Sequence, residues 1–344
     1  MNWYCFKLLF FLILFQSCIE TNSSGFQFKD YDELTSNSVN IVDSISFRYP
    51  FRVRQKDTTL YVLDLHGRQF YCFQLFYPNI ANKKKFASKG NGPEEFLSVE
   101  NIRLSSSGDI YLLDANKETI SIYNTNEDSI KKEIKLPDEL LRSLDFALIN
   151  DSLFAIADYT GKCRINMVDI NGKIQQKLFQ IPTKKYKDVS YSKIVLAQAW
   201  RSFIDYNPGN GILAMATQLG QVIEIYDLKK NEIVNILFGK YGEPEFTNQG
   251  SYAIPNGIMG YSDIQVGNDA IYTVFWGTPF KDIQRDPFNT LEGGDMIQVF
   301  SLEGKPLQQY ILDRHITGFS VNERNKKLIG LDVNNEQQIV EYQL

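Results

Sequence analysis

The sequence predicts an all-β fold: a six-bladed β-propeller of four-stranded antiparallel blades, closed by an N-terminal strand that completes the last blade. Three observations carry this expectation. A strand–turn–strand unit recurs six times, and its apolar second strand ends in turn at Asp64 (TLYVLD), Asp114 (DIYLLD), Asp158 (FAIAD), Thr217 (ILAMAT), Phe275 (IYTVF) and Asp332 (LIGLD). The intervals are 50, 44, 59, 58 and 57 residues, and a blade of four strands with its turns needs ~40–50, more than a solenoid coil. The 24 Phe and 19 Tyr bring the aromatic share to 13%, which suits pleated, half-buried strands. Finally, the sixth unit stops one strand short, while a strand-like stretch stands unassigned ahead of the first. A chain of 344 residues would often be two domains, but propellers exceed the usual domain size without splitting.

The chain opens on an export signal. Residues 1–17 carry Lys7 and an apolar run at 8–15, too short for a bilayer crossing of ~20 residues. Gln16, Ser17 and Cys18 follow. A small residue directly before a cysteine, after such a run, resembles the lipobox of bacterial lipoproteins, which implies that Cys18 is acylated and becomes the new first residue. The organisation expected is therefore a lipoprotein signal peptide at 1–17, a lipid-anchored tether at 18–40 rich in Ser, Thr and Asn, and the propeller at 41–344. Acyl chains hold a globular domain on a membrane without a spanning helix, so the location expected is the cell envelope, on the outer membrane. Only Glu20 is acidic near Cys18, and the sequence does not choose between its two faces.

Charge and cysteines narrow the classes further. With 36 Lys+Arg against 41 Asp+Glu, the net charge is -5, which argues against a nucleic-acid partner because phosphate binding needs a basic face. Cys5 leaves with the signal and Cys18 is the anchor. Cys72 and Cys163 fall in blades one and three, which are not neighbours, so neither a disulfide nor a zinc site is expected and both read as small apolar strand residues.

Blade two displays the unit most plainly: an inner strand at 101–105, a second at 110–113, a third at 119–123 and an outer strand at 130–136. The second strand is apolar throughout, as expected where neighbouring blades cover both faces of the sheet. Short turns such as Ser107-Gly108-Asp109 and Asn171-Gly172-Lys173 join the strands. In blade six, strands are expected at 317–321, 327–331 and 338–342, and the chain stops at Leu344. Residues 41–48 (IVDSISFR) are expected to supply its outer strand, leaving no sheet edge unpaired.

Two stretches resemble a known family. IYLLDANKETISIYN at 110–124 resembles the NHL-type strand pair. GNGPEEF at 90–96 resembles the Gly-x-Gly-Pro-x-Glu-Phe loop of Bacteroidetes six-bladed β-propeller lipoproteins of the TolB-like group, with Glu94 where Gly is common. The resemblance implies the fold over essentially the whole mature chain; it does not imply a reaction, since propellers host binding modules and enzymes alike.

Antiparallel order puts the short turns on one face of the ring and the crossovers between blades, with the loops from second to third strand, on the other. Four long segments collect there, at 89–99, 183–200, 239–261 and 277–294, and loops beyond ~12 residues are usually functional or disordered. Two of them echo each other, 90–96 and 239–246, each running Gly, Pro, Glu, Phe; they read either as carboxylates guarding the channel or as tight crossovers whose Phe plugs a seam. One candidate per blade surrounds the channel mouth on this face: Arg52, Arg103, Asp145, Arg201, Asp263 and His315. Trp200, Tyr252, Trp276 and Phe280 on neighbouring loops are placed to stack on a polar ligand such as a sugar, peptide or anion.

Catalytic signatures are thin. His66 and His315 are the two histidines, with no HExxH and no Gly-x-Ser-x-Gly, so no catalytic residue and no metal ligand is assigned. Ca²⁺ at a channel mouth leaves no linear motif and is not indicated by one. The Asp residues closing second strands read as bonding turn amides rather than metal. The function expected is a monomeric binding platform for a protein partner or a polar small molecule at the long-loop face. A channel-mouth hydrolase or lyase using carboxylates or a divalent cation, and a structural or assembly component, are the alternatives.

Overall fold

The computed structural model describes residues 25–39, 45–140, 142–187 and 192–344. The signal and Cys18 lie outside the described residues. The chain enters through two short strands, β1 (Tyr31–Leu34) and β2 (Asn37–Ser38), and then lays down its blades. Blade one is β3 (Pro50–Lys56), β4 (Thr59–Asp64), β5 (Phe70–Phe76) and β6 (Ala81–Ser88). Blade two is β7 (Val99–Leu104), β8 (Ile110–Asp114), β9 (Thr119–Asn124) and β10 (Ser129–Lys135). Blade three is β11 (Phe146–Asn150), β12 (Leu153–Ala157), β13 (Ile165–Asp169) and β14 (Ile174–Leu178), and a crossover helix α1 (Lys193–Ala199) follows it. Blade four is β15 (Ser202–Asn207), β16 (Ile212–Thr217), β17 (Val222–Asp227) and β18 (Glu232–Phe238). The next crossover carries a hairpin, β19 (Phe246–Gln249) and β20 (Tyr252–Pro255). Blade five is β21 (Tyr261–Val266), β22 (Ala270–Phe275), β23 (Gly294–Ser301) and β24 (Pro306–Ile316), with helix α2 (Phe280–Arg285) between its second and third strands. Blade six is β25 (Gly318–Asn322), β26 (Lys327–Leu331) and β27 (Ile339–Gln343).

Period-2 alternation makes each inner sheet two-sided. Along β8, Ile110 and Leu112 pack with Leu63, Cys72 and Phe86 of blade one, while Tyr111 and Leu113 pack with Phe146 and Phe154 of blade three. Both faces are covered, so every residue of β8 is buried. In the outer β10, SIKKEIK, only Ile134 is fully withdrawn from water, because the outer strand has a neighbour on one side only. Similar clusters fill the other seams.

The ring closes through the N-terminal segment. β2 pairs antiparallel with β27, Asn37 opposite Glu341 and Ser38 opposite Val340, and so supplies the fourth strand of blade six. The stretch expected in that role, 41–48, does not hold it. Residues 41–44 lie outside the described residues, 45–48 form no strand, and Phe47 is buried in the seam between blades one and six with its N–H on Gln338 Oε1 at 3.0 Å. Of its described part, Ile45 and Phe47 pack into that seam rather than along a sheet edge.

The segment before β2 is packed as well. β1 adds a parallel fifth strand to blade five, Tyr31 opposite Gln309 through Leu34 opposite Leu312. Ahead of it, the Phe26 N–H bonds Phe238 O at 2.8 Å, and the Phe26 and Phe28 rings meet Phe300 edge-on at 5.0 and 5.4 Å. Residues 25–38, read in the sequence as part of a tether, thus form a strap over the outer edges of blades four, five and six.

Candidate functional site

The inner strands β3, β7, β11, β15, β21 and β25 line a polar channel, and each seam is clasped by a side chain reaching the backbone of the adjoining blade. Lys56 Nζ donates to Ser106 O (2.9 Å) between blades one and two, and Arg103 Nε to Phe146 O (2.8 Å) between two and three. Asp145 Oδ2 accepts from Ile204 N (3.0 Å), Asp205 Oδ2 from Val266 N (2.8 Å) and Asp263 Oδ2 from Phe319 N (3.2 Å). Arg52 Nη1 and Arg54 Nη1 donate to Thr317 O and Phe319 O, each at 3.2 Å, between blades one and six.

The channel therefore holds Arg52, Arg54 and Arg103 against Asp145, Asp205 and Asp263. Arg103 Nη2 lies 3.0 Å from Asp145, and Asp263 lies 3.4 Å from Arg52 Nε and 3.5 Å from Arg54 Nη1. Burial pushes Asp145 and Asp205 up from the usual carboxylate range, opposed by Arg103 in both cases. Burial also pulls Arg52 down to about 10, opposed by Asp263 and then Asp145, so it stays charged at neutral pH.

The aspartates are engaged by amides and guanidinium groups, but the arginines keep donors in hand. Arg54 Nη2 and Arg103 Nη1 are buried without a hydrogen-bond partner, a costly condition for a charged donor. The fold can satisfy a buried guanidinium fully elsewhere. Arg164 gives Nε and Nη2 to Glu224 (2.8 and 2.5 Å), Nη2 also to Ser202 Oγ (2.7 Å) and Nη1 to Trp200 O (3.0 Å). Arg52 Nε and Nη2 are likewise without a hydrogen-bond partner, deep in the wall, whereas Arg54 and Arg103 line one cavity of about 460 Å³, with Asp205, Asn207, Gln265 and Ser105. Its lining comes from the C-terminal halves of the inner strands and the turns after them, so it opens on the short-turn face, opposite the face expected from loop length.

The candidates divide accordingly. Arg52, Arg103, Asp145 and Asp263 come together, but as buried channel wall rather than an exposed rim. Arg52 is fully enclosed between the Phe51 and Phe203 rings, 3.7 and 4.4 Å from their centroids. Arg201 stands apart, half-buried, its Nε without a partner and its pKa lowered by burial. His315 is not on an inner strand at all: it lies on the outer strand β24, with Nδ1 3.0 Å from Gly293 O and Nε2 3.9 Å from Asp295. The single residue between β24 and β25 leaves no turn signal to separate the two blades. Trp200 is fully buried beside α1 and Phe246 and offers no stacking face. Tyr252 is exposed on β20, while Trp276 and Phe280 are half-buried near α2.

The strand-closing aspartates hold turns. Asp114 accepts amides from Leu97 (2.6 Å), Ser98 (3.2 Å), Asn116 (3.0 Å) and Lys117 (3.0 Å), and Asp64 does the same for Tyr49 and His66. The echoing loops are also structural: Glu95 binds Gly92 N, Glu243 binds Lys184 and Lys185 N, and Phe96 and Phe246 are buried. Among the described residues, no three His, Cys, Asp or Glu side chains group to hold a metal ion, and no helix is long and apolar enough to cross a membrane. Arg54, Asp205, Asn207 and Gln265 were missed in the sequence. The signal was there: Arg54 follows Arg52, and Gln265 follows Asp263, by the two residues that return a strand to the same face.

Six four-stranded blades around a polar channel define a six-bladed β-propeller, a scaffold consistent with a binding platform. Residues 28–324 match the family described as TolB-like 6-blade propeller-like, and the chain belongs to that family. Among solved structures, it is similar to a member of the DUF4221 family from Bacteroides vulgatus, at 12% identity and a TM-score of 0.61, covering 90% of this chain and 97% of that one. It is also similar to U3-55K, at 8% identity and a TM-score of 0.50, covering 86% and 98%. At such identities the likeness shows the fold alone. No curated protein matches the chain.

Proposed function

We propose that the protein is a cell-envelope lipoprotein anchored through Cys18, and that its propeller is a binding platform taking a small polar anion at the short-turn mouth of the channel. One observation carries the ligand class: Arg54 Nη2 and Arg103 Nη1 are left without partners in the wall of a 460 Å³ cavity. A carboxylate or phosphate oxygen is the group that completes a guanidinium best, and a cavity of this size fits a small molecule. Asn207, Gln265 and Ser105 extend the polar part of the lining, though their side chains already bond Gly267 O, Val321 and Asp109 N.

The reading is tested by calorimetric titration of the full chain with citrate, glucuronate and a sugar phosphate, against neutral sugars as controls. An Arg54→Met variant keeps Asp263 beside Arg52 and is expected to bind the preferred anion at least ~10-fold more weakly, the loss of one good charged contact. Equal affinity in parent and variant, or binding of the neutral sugars alone, defeats the proposal.

A further inference from the structure

We infer that the long-loop face around blades four and five is a membrane-facing surface that rests on the lipid bilayer, with the ligand cavity turned away from it. The inference depends on the proposed anchor at Cys18, and it adds an orientation that the anchor alone does not fix.

Two independent observations lead there. The first is the length of chain between the anchor and the fold. Residues 19–24 separate Cys18 from Gly25, and seven Cα-to-Cα steps reach no more than about 25 Å. Gly25 is packed on the Gly239 backbone, and Gly239 donates to Gln221 O in the loop between the second and third strands of blade four. Both belong to the long-loop face. The opposite face is a further strand length away, roughly 20 Å for six residues, so so short a leash favours the long-loop side as the side next to the bilayer.

The second is the distribution of exposed apolar side chains. Ile194 on α1, Tyr241, Tyr252 and Ile254 around the β19–β20 hairpin, and Phe288 after α2 all stand on this face. Phe288 is 97% exposed and Tyr252 65%, and large exposed apolar side chains gathered on one face mark an interaction surface. Lys193 and Lys240 are exposed among them, as suits anionic headgroups. On the short-turn side Phe76 and Ile233 belong to different blades, and Leu307 has the exposed Tyr31 of β1 near it on the edge of blade five, a smaller grouping. The side that the leash draws toward the membrane is therefore the side carrying the larger group of apolar side chains.

The test uses the lipid-modified full chain, purified from membranes and reconstituted into phosphatidylethanolamine and phosphatidylglycerol vesicles. Phe288→Cys, Tyr252→Cys and, on the short-turn face, Asn171→Cys each receive an environment-sensitive fluorophore; Cys72 and Cys163 are buried and stay unlabelled. All three positions are exposed, so the substitutions leave the fold intact. The expected result is a blue shift and quenching by brominated acyl chains at 288 and 252, with the label at 171 remaining aqueous. Flotation of the protein with the vesicles reads the anchor separately. If the chain floats but the labels at 288 and 252 stay aqueous, or if 171 is the one buried, the orientation is wrong while the anchor stands. If the chain does not float, anchor and orientation fall together. Labels that become protected only on adding a cell extract point to a protein partner and also overturn the proposal.

Discussion

Asp145 shows how a charge can serve the ring rather than a ligand. It takes hydrogen bonds from Phe146 N (2.7 Å), Ile204 N (3.0 Å) and Arg103 Nη2 (3.0 Å), and one more from the Asn101 amide. Asp145→Ala strips Arg103 of its nearer carboxylate, leaving Asp205 at 4.0 Å, and leaves the Ile204 amide unpaired, and it should cost about 3 kcal/mol in urea unfolding. Glu94→Gln, on a crossover surface, should stay within ~0.5 kcal/mol. Buried tyrosines and a thiol set an alkaline limit. Burial raises Tyr71 and Tyr111 from 10.0 to about 12 and Cys163 from 9.0 to about 12. Since the folded values lie above the unfolded ones, their contribution is complete below pH 9 and is lost as the pH rises toward 12. Urea midpoints should therefore fall across that window, with tyrosinate absorbance appearing together with unfolding rather than before it.

At the scale of the element, two places are tight enough to predict. A Cβ on Gly318, the first residue of β25, would stand 2.2 Å from Phe51 O, so Gly318→Ala should cost about 1–3 kcal/mol through displaced backbone. Phe26→Ala removes a half-buried ring from the strap cluster and should cost about 2 kcal/mol, less than the ~3–5 kcal/mol of a fully buried Phe. Thermal and urea unfolding read both. The inner, second and third strands were legible in the sequence because seam packing on both faces writes long apolar runs such as IYLLD and ILAMAT. The strap was not: DYDELTSNS is polar, with Tyr31 and Glu33 exposed, and β1 and β2 are held by backbone pairing to edges already formed. Strands defined by pairing alone leave little trace in side-chain pattern. The candidate site was half legible for a related reason. Loop length pointed to one face, whereas the cavity is built from alternate residues of the inner strands, where Arg54 and Asp205 look like any strand polar.

At the scale of the molecule, closure is a property of both termini. Removing residues 25–38 takes away β1 and β2 and uncovers the edges of β24 and β27. Unpaired edges recruit other chains, so the shortened protein should self-associate, seen as a rise in mass by light scattering, while the full chain does not. Disruption at one seam should be felt around the whole ring, because each inner strand is clasped to its neighbours.

The strap has a mechanical consequence. With the proposed anchor at Cys18, a pull on the domain would arrive first at Gly25, Phe26 and Phe28, which rest on blades four and five. Only after those give way does it reach β1, and only after β1 the two residues of β2 that close the ring. The aromatic cluster would thus work as strain relief on a cable, meeting load from the proposed anchor before the joint that holds the propeller shut.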